Sequence, residues 1–480
     1  MSVVASPPTQ VSGSKPKREL GLWLATALVV GNMIGSGVFL LPASLAAYGG
    51  ISIVGWLFTA AGAFLLAYVF ARLARGFPVT GGPYAYSRRA FGDFIGFQTA
   101  WGYWLAAWIG NAAIATAFVG YLAYFWTGLG GSTSGDYLVQ GLVAIAAVVV
   151  LTVVNVLGVR QGGLVQAVMT VGKLIPLVAI AFVAIFWFDS ANWPAFNPDP
   201  ANQGSFGVVG AVAALTLWAF IGLESATIPA ESVKDPERNV PRATLYGVVG
   251  TAAVYIVGTV AVMGILDSAT LASSTAPFAD AAREVWGGWA GGAVALGAIL
   301  STFGCLNGWI LLTGQMPYAA ARDRLFPSPF ARLNSRGAPA VGIVVSSGLL
   351  VAFIALFYNK SQVARFNDYI LLATTTTLLA YLYGAAARMM LLVSDRRRFS
   401  GRLGVEMGVA LLAVAYAMWT IFGAGYRYAT WGVLLTLAGL PFYVWVKAQT
   451  SKDHPELVNP EGELLFAPEP RSAPDIHVRQ

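Results

Sequence analysis

The stretch GNMIGSG, Gly31 to Gly37, puts three glycines and a serine into seven residues in the middle of an apolar run. A second run, LWAFIGLESATIP at Leu217 to Pro229, sets Gly222, Glu224 and Pro229 inside another apolar stretch. Glycine tolerates non-helical backbone, and unwound backbone survives at membrane depth only where it lines a cavity or contacts protein. Each run therefore reads as a helix that breaks part-way across a bilayer. The membrane itself follows from composition. The 480 residues are 57% hydrophobic and 11% charged, with mean hydropathy +0.67, whereas a soluble domain carries about 25% charged residues.

Working outward, apolar runs long enough to span recur along the chain and predict an all-α integral membrane protein with twelve spans. A polar segment occupies 1–20, an inverted-repeat transport core 21–394, two further helices 405–447, and a tail expected to be disordered 448–480. The breaks fall in spans 1 and 6, five apart. Five is odd, so a repeated five-span unit re-enters the membrane inverted, and 21–188 pairs with 206–394. Matched broken helices in two halves are the strongest sequence pointer to a transporter's substrate site.

Charge sets orientation. Of the 29 Lys and Arg residues, 24 fall on one side of this map and four on the other, Arg283, Lys360, Arg365 and Arg427, with Lys173 inside span 5. The excess predicts both termini in the cytoplasm of a plasma membrane. It also accounts for the pI near 9.4 without nucleic acid as a partner. One cysteine, Cys305, and two histidines, His454 and His477, exclude a disulfide scaffold and leave no expected metal site, cofactor or enzymatic Ser/His/Asp or Cys/His cluster.

Broken helices offer peptide groups. The amides of Ser36 and Gly37 open a half-helix and suit a carboxylate. The carbonyls of Met33, Trp218 and Ile221, left without helical partners, suit an ammonium. Together they would read the main-chain ends of an α-amino acid. Glu224 is the only carboxylate placed well inside a span, and an ionisable group there is by default a gate or coupling residue. Lys173 is the second coupling candidate. A tryptophan face in a dry cavity attracts a cationic side chain, and among many aromatics Tyr103, Trp104 and Trp108 in span 3, Trp218 beside the second break, Trp309 in span 8, and Phe366 and Tyr381 around span 10 have positional interest.

Several motifs then occur in one order: GNMIGSGVFLLPASLAAYGGI (31–51), GGPYAYSRRAFG (81–92), YWLAAWIGN (103–111), LWAFIGLESA (217–226), VKDPERNVPRAT (233–244), GWILLTGQ (308–315) and AYLYGAA (380–386). The chain resembles the amino acid, polyamine and organocation transporters, most of all their bacterial arginine/agmatine antiporters. The resemblance implies five plus five inverted helices with two extra, packed as a homodimer in lipid, exchanging arginine for agmatine by alternating access in acid resistance. It implies substrate contacts at Met33, Ser36, Gly37, Trp218 and Ile221 for the main-chain end, and at Ala106, Ala107, Asn111, Trp309 and Ala373 for the cationic end. It implies gates at Tyr103, Trp218, Glu224, Trp309 and Tyr381. Ala107, Ala219 and Ala373 replace polar residues of the antiporters, and Lys173 resembles the span-5 lysine of proton-coupled carriers. The alternative reading is therefore proton-coupled or facilitated uptake of amino acids or polyamines, with Lys173 and Glu224 titrating.

Overall fold

A computed structural model describes residues 20–77, 81–158, 175–199, 201–227, 233–395 and 403–453. Lys173 lies outside them. Among the described residues the chain is all-helical, with nine helices long and apolar enough to cross a membrane and a tenth span formed by a bent pair. In chain order these are α1 (Leu22–Met33), α2 (Ser36–Leu45), α3 (Ile51–Gly76), the short α4 (Pro83–Phe91), α5 (Asp93–Leu122) and α6 (Ser134–Val156). After α7 (Ile175–Trp187) come α8 (Gly204–Leu217), α9 (Pro236–Ile265), the short α10 (Ser268–Ser273) and α11 (Pro277–Trp286), then α12 (Gly288–Arg322). The series closes with α13 (Ala340–Phe357), α14 (Gln362–Ser394), α15 (Leu403–Gly423), α16 (Tyr426–Leu437) and α17 (Leu440–Asp453).

The bent pair is span 1, where α1 and α2 meet at 41°. Expected spans 5 and 6 coincide with the two shorter apolar helices, Ile175–Trp187 and Gly204–Phe220. The first is preceded by residues outside the described set, and the second stops where the second break was expected. At the C-terminal end α17 runs on to Asp453, past the boundary expected at 447.

Two features hold the bundle together. The first is close approach at small residues, which stands in for a hydrophobic drive between helices in lipid. A Cβ on Gly55 would lie 2.3 Å from Val212, and one on Gly62 would lie 2.2 Å from the Tyr416 ring, so α3 sits hard against α8 and α15. The second is a buried ionic cluster at the start of α15. Glu406 of α15, 5% exposed, accepts from Arg388 of α14 at 3.0 Å, Arg72 of α3 at 2.6 Å and the Tyr68 hydroxyl at 3.0 Å. Arg365, expected in the loop before span 10, lies inside α14 and is buried, as is Arg388, which the charge map assigns to the basic side.

The centre of the bundle is α5, packed against α12 and α14, with 94% of its most apolar window buried. Its residues Tyr103, Ala106, Ala107, Gly110 and Ile114 recur at helical spacing and share one face. That face and the two breaks enclose the site.

Candidate functional site

Helix α1 ends at Met33 because Ile34 is extended (ψ 93°) and Gly35 takes φ −135°, ψ −132°, outside the helical basin; α2 then begins at Ser36. The second break starts where α8 gives way to a 3-10 turn at Trp218–Phe220, followed by extended Ile221 (ψ 129°) and Gly222 at φ +108°. At that φ a side chain is strained, so glycine is the residue that fits. Both breaks occur where the sequence placed them.

The breaks press directly on each other. A Cβ on Gly222 would lie 3.3 Å from the Asn32 carbonyl, and one on Gly37 would lie 3.0 Å from the Ala219 Cα. The Trp218 indole N-H donates to the Ser36 hydroxyl at 3.2 Å, across the gap.

Two adjoining pockets share Ile114, Trp218, Ile221 and Trp309 as walls. One is completed by Asn32, Met33, Gly35, Ser36, Gly37 and Cys305, so unwound main chain forms its floor. The other is completed by Tyr103, Ala106, Ala107, Gly110 and Thr377, an aromatic and small-residue wall without a carboxylate. Together they leave room for about one or two waters, so this is a closed form in which a larger guest needs side chains to move.

Three of the expected gate residues, Tyr103, Glu224 and Tyr381, meet beside the second pocket. Glu224, fully buried, accepts from the hydroxyls of Tyr103 and Tyr381 and from the Gly222 amide at 3.3 Å. The Tyr103 ring lies 6.5 Å from the Trp309 ring, and Tyr381 packs edge-on against Phe70 at 5.3 Å. Pocket wall and gate are therefore one run of contacts, Trp309 to Tyr103 to Glu224 to Tyr381.

Two expected contacts lie behind the wall. Asn111 is buried but lines neither pocket, and Ala373 sits where Gly110 meets the Trp218 ring. The structure adds Thr377, Ile114, Gly110, Asn32 and Cys305 to the lining. Two of these had a signal in the sequence. Thr377 ends a run of four threonines one turn before Tyr381, and Cys305 lies one turn before Trp309. No group of His, Cys, Asp and Glu that would hold a metal ion occurs among the described residues.

The sequence profile of the amino acid permease family matches residues 20–447. This chain belongs to that family. The permease is 40% identical over 342 residues to the cadaverine/lysine antiporter of Escherichia coli strain K12, covering 71% of this chain and 75% of that protein. It is 33% identical to a putrescine transporter of Haemophilus influenzae, over 90% of this chain and 98% of that one. To the arginine/ornithine antiporter of Pseudomonas aeruginosa it is 31% identical, over 94% and 95%. The permease is thus a multi-pass membrane transporter of the superfamily its motifs resemble, and not an enzyme.

Proposed function

We propose that this permease exchanges a cationic amino acid for its decarboxylated amine by alternating access. One observation carries the reading: two facing helix breaks line one end of a pair of adjoining pockets whose other end is walled by Trp309, Tyr103 and small residues. The first end suits a zwitterion, with the Ser36 and Gly37 amides toward the carboxylate and the Trp218 and Ile221 carbonyls toward the ammonium. The second suits a long cation held by aromatic faces, an attraction worth up to about 2 kcal/mol when desolvated. Trp218 and Trp309 then close over the guest, while Tyr103, Glu224 and Tyr381 close beneath it.

Arginine against agmatine, implied by the sequence resemblance, and lysine against cadaverine, the pair in the name of the Escherichia coli relative, both meet these requirements. The reading includes a homodimer, which the sequence resemblance implies, in a bacterial plasma membrane, and both termini in the cytoplasm, which the excess of basic residues on one side of the sequence map supports.

Purified permease in liposomes tests the exchange. Labelled lysine or arginine enters only vesicles preloaded with an amino acid or amine partner, and equal uptake into empty vesicles refutes obligate exchange. Calorimetry against arginine, agmatine, lysine, cadaverine, ornithine and putrescine identifies the pair.

A further inference from the structure

Tyr255, on α9, is fully buried and belongs to neither pocket. Its hydroxyl lies 2.7 Å from the Met33 carbonyl and 3.0 Å from the Ala219 carbonyl. Met33 is the last residue of α1 and Ala219 sits in the turn that ends α8, so one side chain from a third helix reaches both breaks at once. Its ring is wedged between Trp56 at 5.5 Å and Phe220 at 5.7 Å, rings that also touch each other at 6.1 Å. Carbonyls freed by a helix break at membrane depth need donors, and here one phenol is in reach of a carbonyl from each.

We infer that Tyr255 is a positioning residue that sets the register between the two breaks, and that it selectively supports binding of the amino acid over binding of the amine. This rests on the proposed exchange function. An amino acid must meet the amides of Ser36 and Gly37 on one break and the carbonyls of Trp218 and Ile221 on the other, with its carboxylate and ammonium a fixed short distance apart. Its affinity therefore depends on how the breaks are held relative to each other, the usual gain from preorganisation. A diamine has no carboxylate and needs no such two-point match. Loss of the hydroxyl leaves the amine's contacts in place and loosens the match for the amino acid.

Tyr255→Phe keeps the ring between Trp56 and Phe220 and removes only the hydroxyl. Calorimetry on the full chain with lysine and with cadaverine reads the selectivity. Lysine weakens about tenfold and cadaverine changes by less than about twofold. Equal loss for both ligands assigns Tyr255 a merely structural role and overturns the inference, as does no loss for either. Hydrogen exchange without ligand gives a second readout, independent of what the permease carries. In Tyr255→Phe the amides of 34–37 and 221–223 exchange at least about tenfold faster while those of α6 do not, and unchanged protection overturns the inference. A wild-type protein that binds neither ligand refutes the proposed function, and hydrogen exchange still decides the role of Tyr255. If Tyr255→Phe does not fold, Trp56→Phe loosens the seat of the ring, leaves the hydroxyl, and carries the same paired measurements with the same outcomes.

Discussion

Replacing Glu224 with glutamine tests whether the carboxylate holds the lower gate shut. In the closed form both carboxylate oxygens accept hydrogen bonds, one from Tyr103, the other from Tyr381 and the Gly222 amide. The amide of glutamine keeps one acceptor and turns the other position into a donor, which then faces a phenol that was donating. At least one bond to a charged acceptor is lost. Such a bond contributes about 1.5–3 kcal/mol net, and each 1.4 kcal/mol is tenfold. The closed gate should therefore lose roughly 10- to 100-fold of its advantage over the open one. The permease supplies its own reporter, because its single cysteine, Cys305, lines the pocket floored by unwound main chain. A water-soluble maleimide should label Cys305 in Glu224→Gln at least about tenfold faster than in the wild type, and bound substrate should slow the reaction in both. A labelling rate within twofold of wild type would mean that the carboxylate does not hold the gate, and the reasoning fails.

Further outcomes follow from single contacts. Trp309→Ala should weaken binding of lysine by about 5- to 30-fold by calorimetry while leaving Nε-acetyl-lysine, which lacks the cation, nearly unaffected. Gly222→Ala forces a side chain into φ +108° and against the Asn32 carbonyl; it should lower stability by about 1–2 kcal/mol, read as a reduced thermal midpoint in detergent, with slower exchange. Glu406→Leu leaves Arg388 and Arg72 without their shared carboxylate and should destabilise the fold by about 3 kcal/mol, read as the same midpoint. Lys173→Ala should preserve lysine exchange in liposomes, whereas collapse of pH-dependent uptake would favour a proton-coupled carrier.

Glycine and serine in an apolar run equally suit a small-residue packing seam; the breaks were legible because a second interruption, with Glu224 and Pro229 beside Gly222, falls five spans after the first. The α5 stripe was legible only through the resemblance, which put Tyr103, Ala106 and Ala107 at the site; helical spacing is what sets them on one face. Other features were hidden for physical reasons. Tyr255 lies in an apolar helix, where a tyrosine reads as packing, and only tertiary placement reveals the two carbonyls at its hydroxyl. The ionic cluster was hidden because Arg72, Arg388 and Glu406 are far apart in the chain and near span ends, where charged residues read as solvated, and only tertiary placement brings them together. Asn111 shares α5 with the pocket stripe but points off its face, a rotation that the motif does not encode.

The bond between Trp218 and Ser36 uses only the accepting side of the serine hydroxyl. Its hydrogen stays free to be donated, so a bound carboxylate and the indole share one oxygen without contending for it. An anion seated there polarises the O-H and strengthens the grip on the indole. Loading then draws the tryptophan down over the freight, and the latch fastens through the cargo itself.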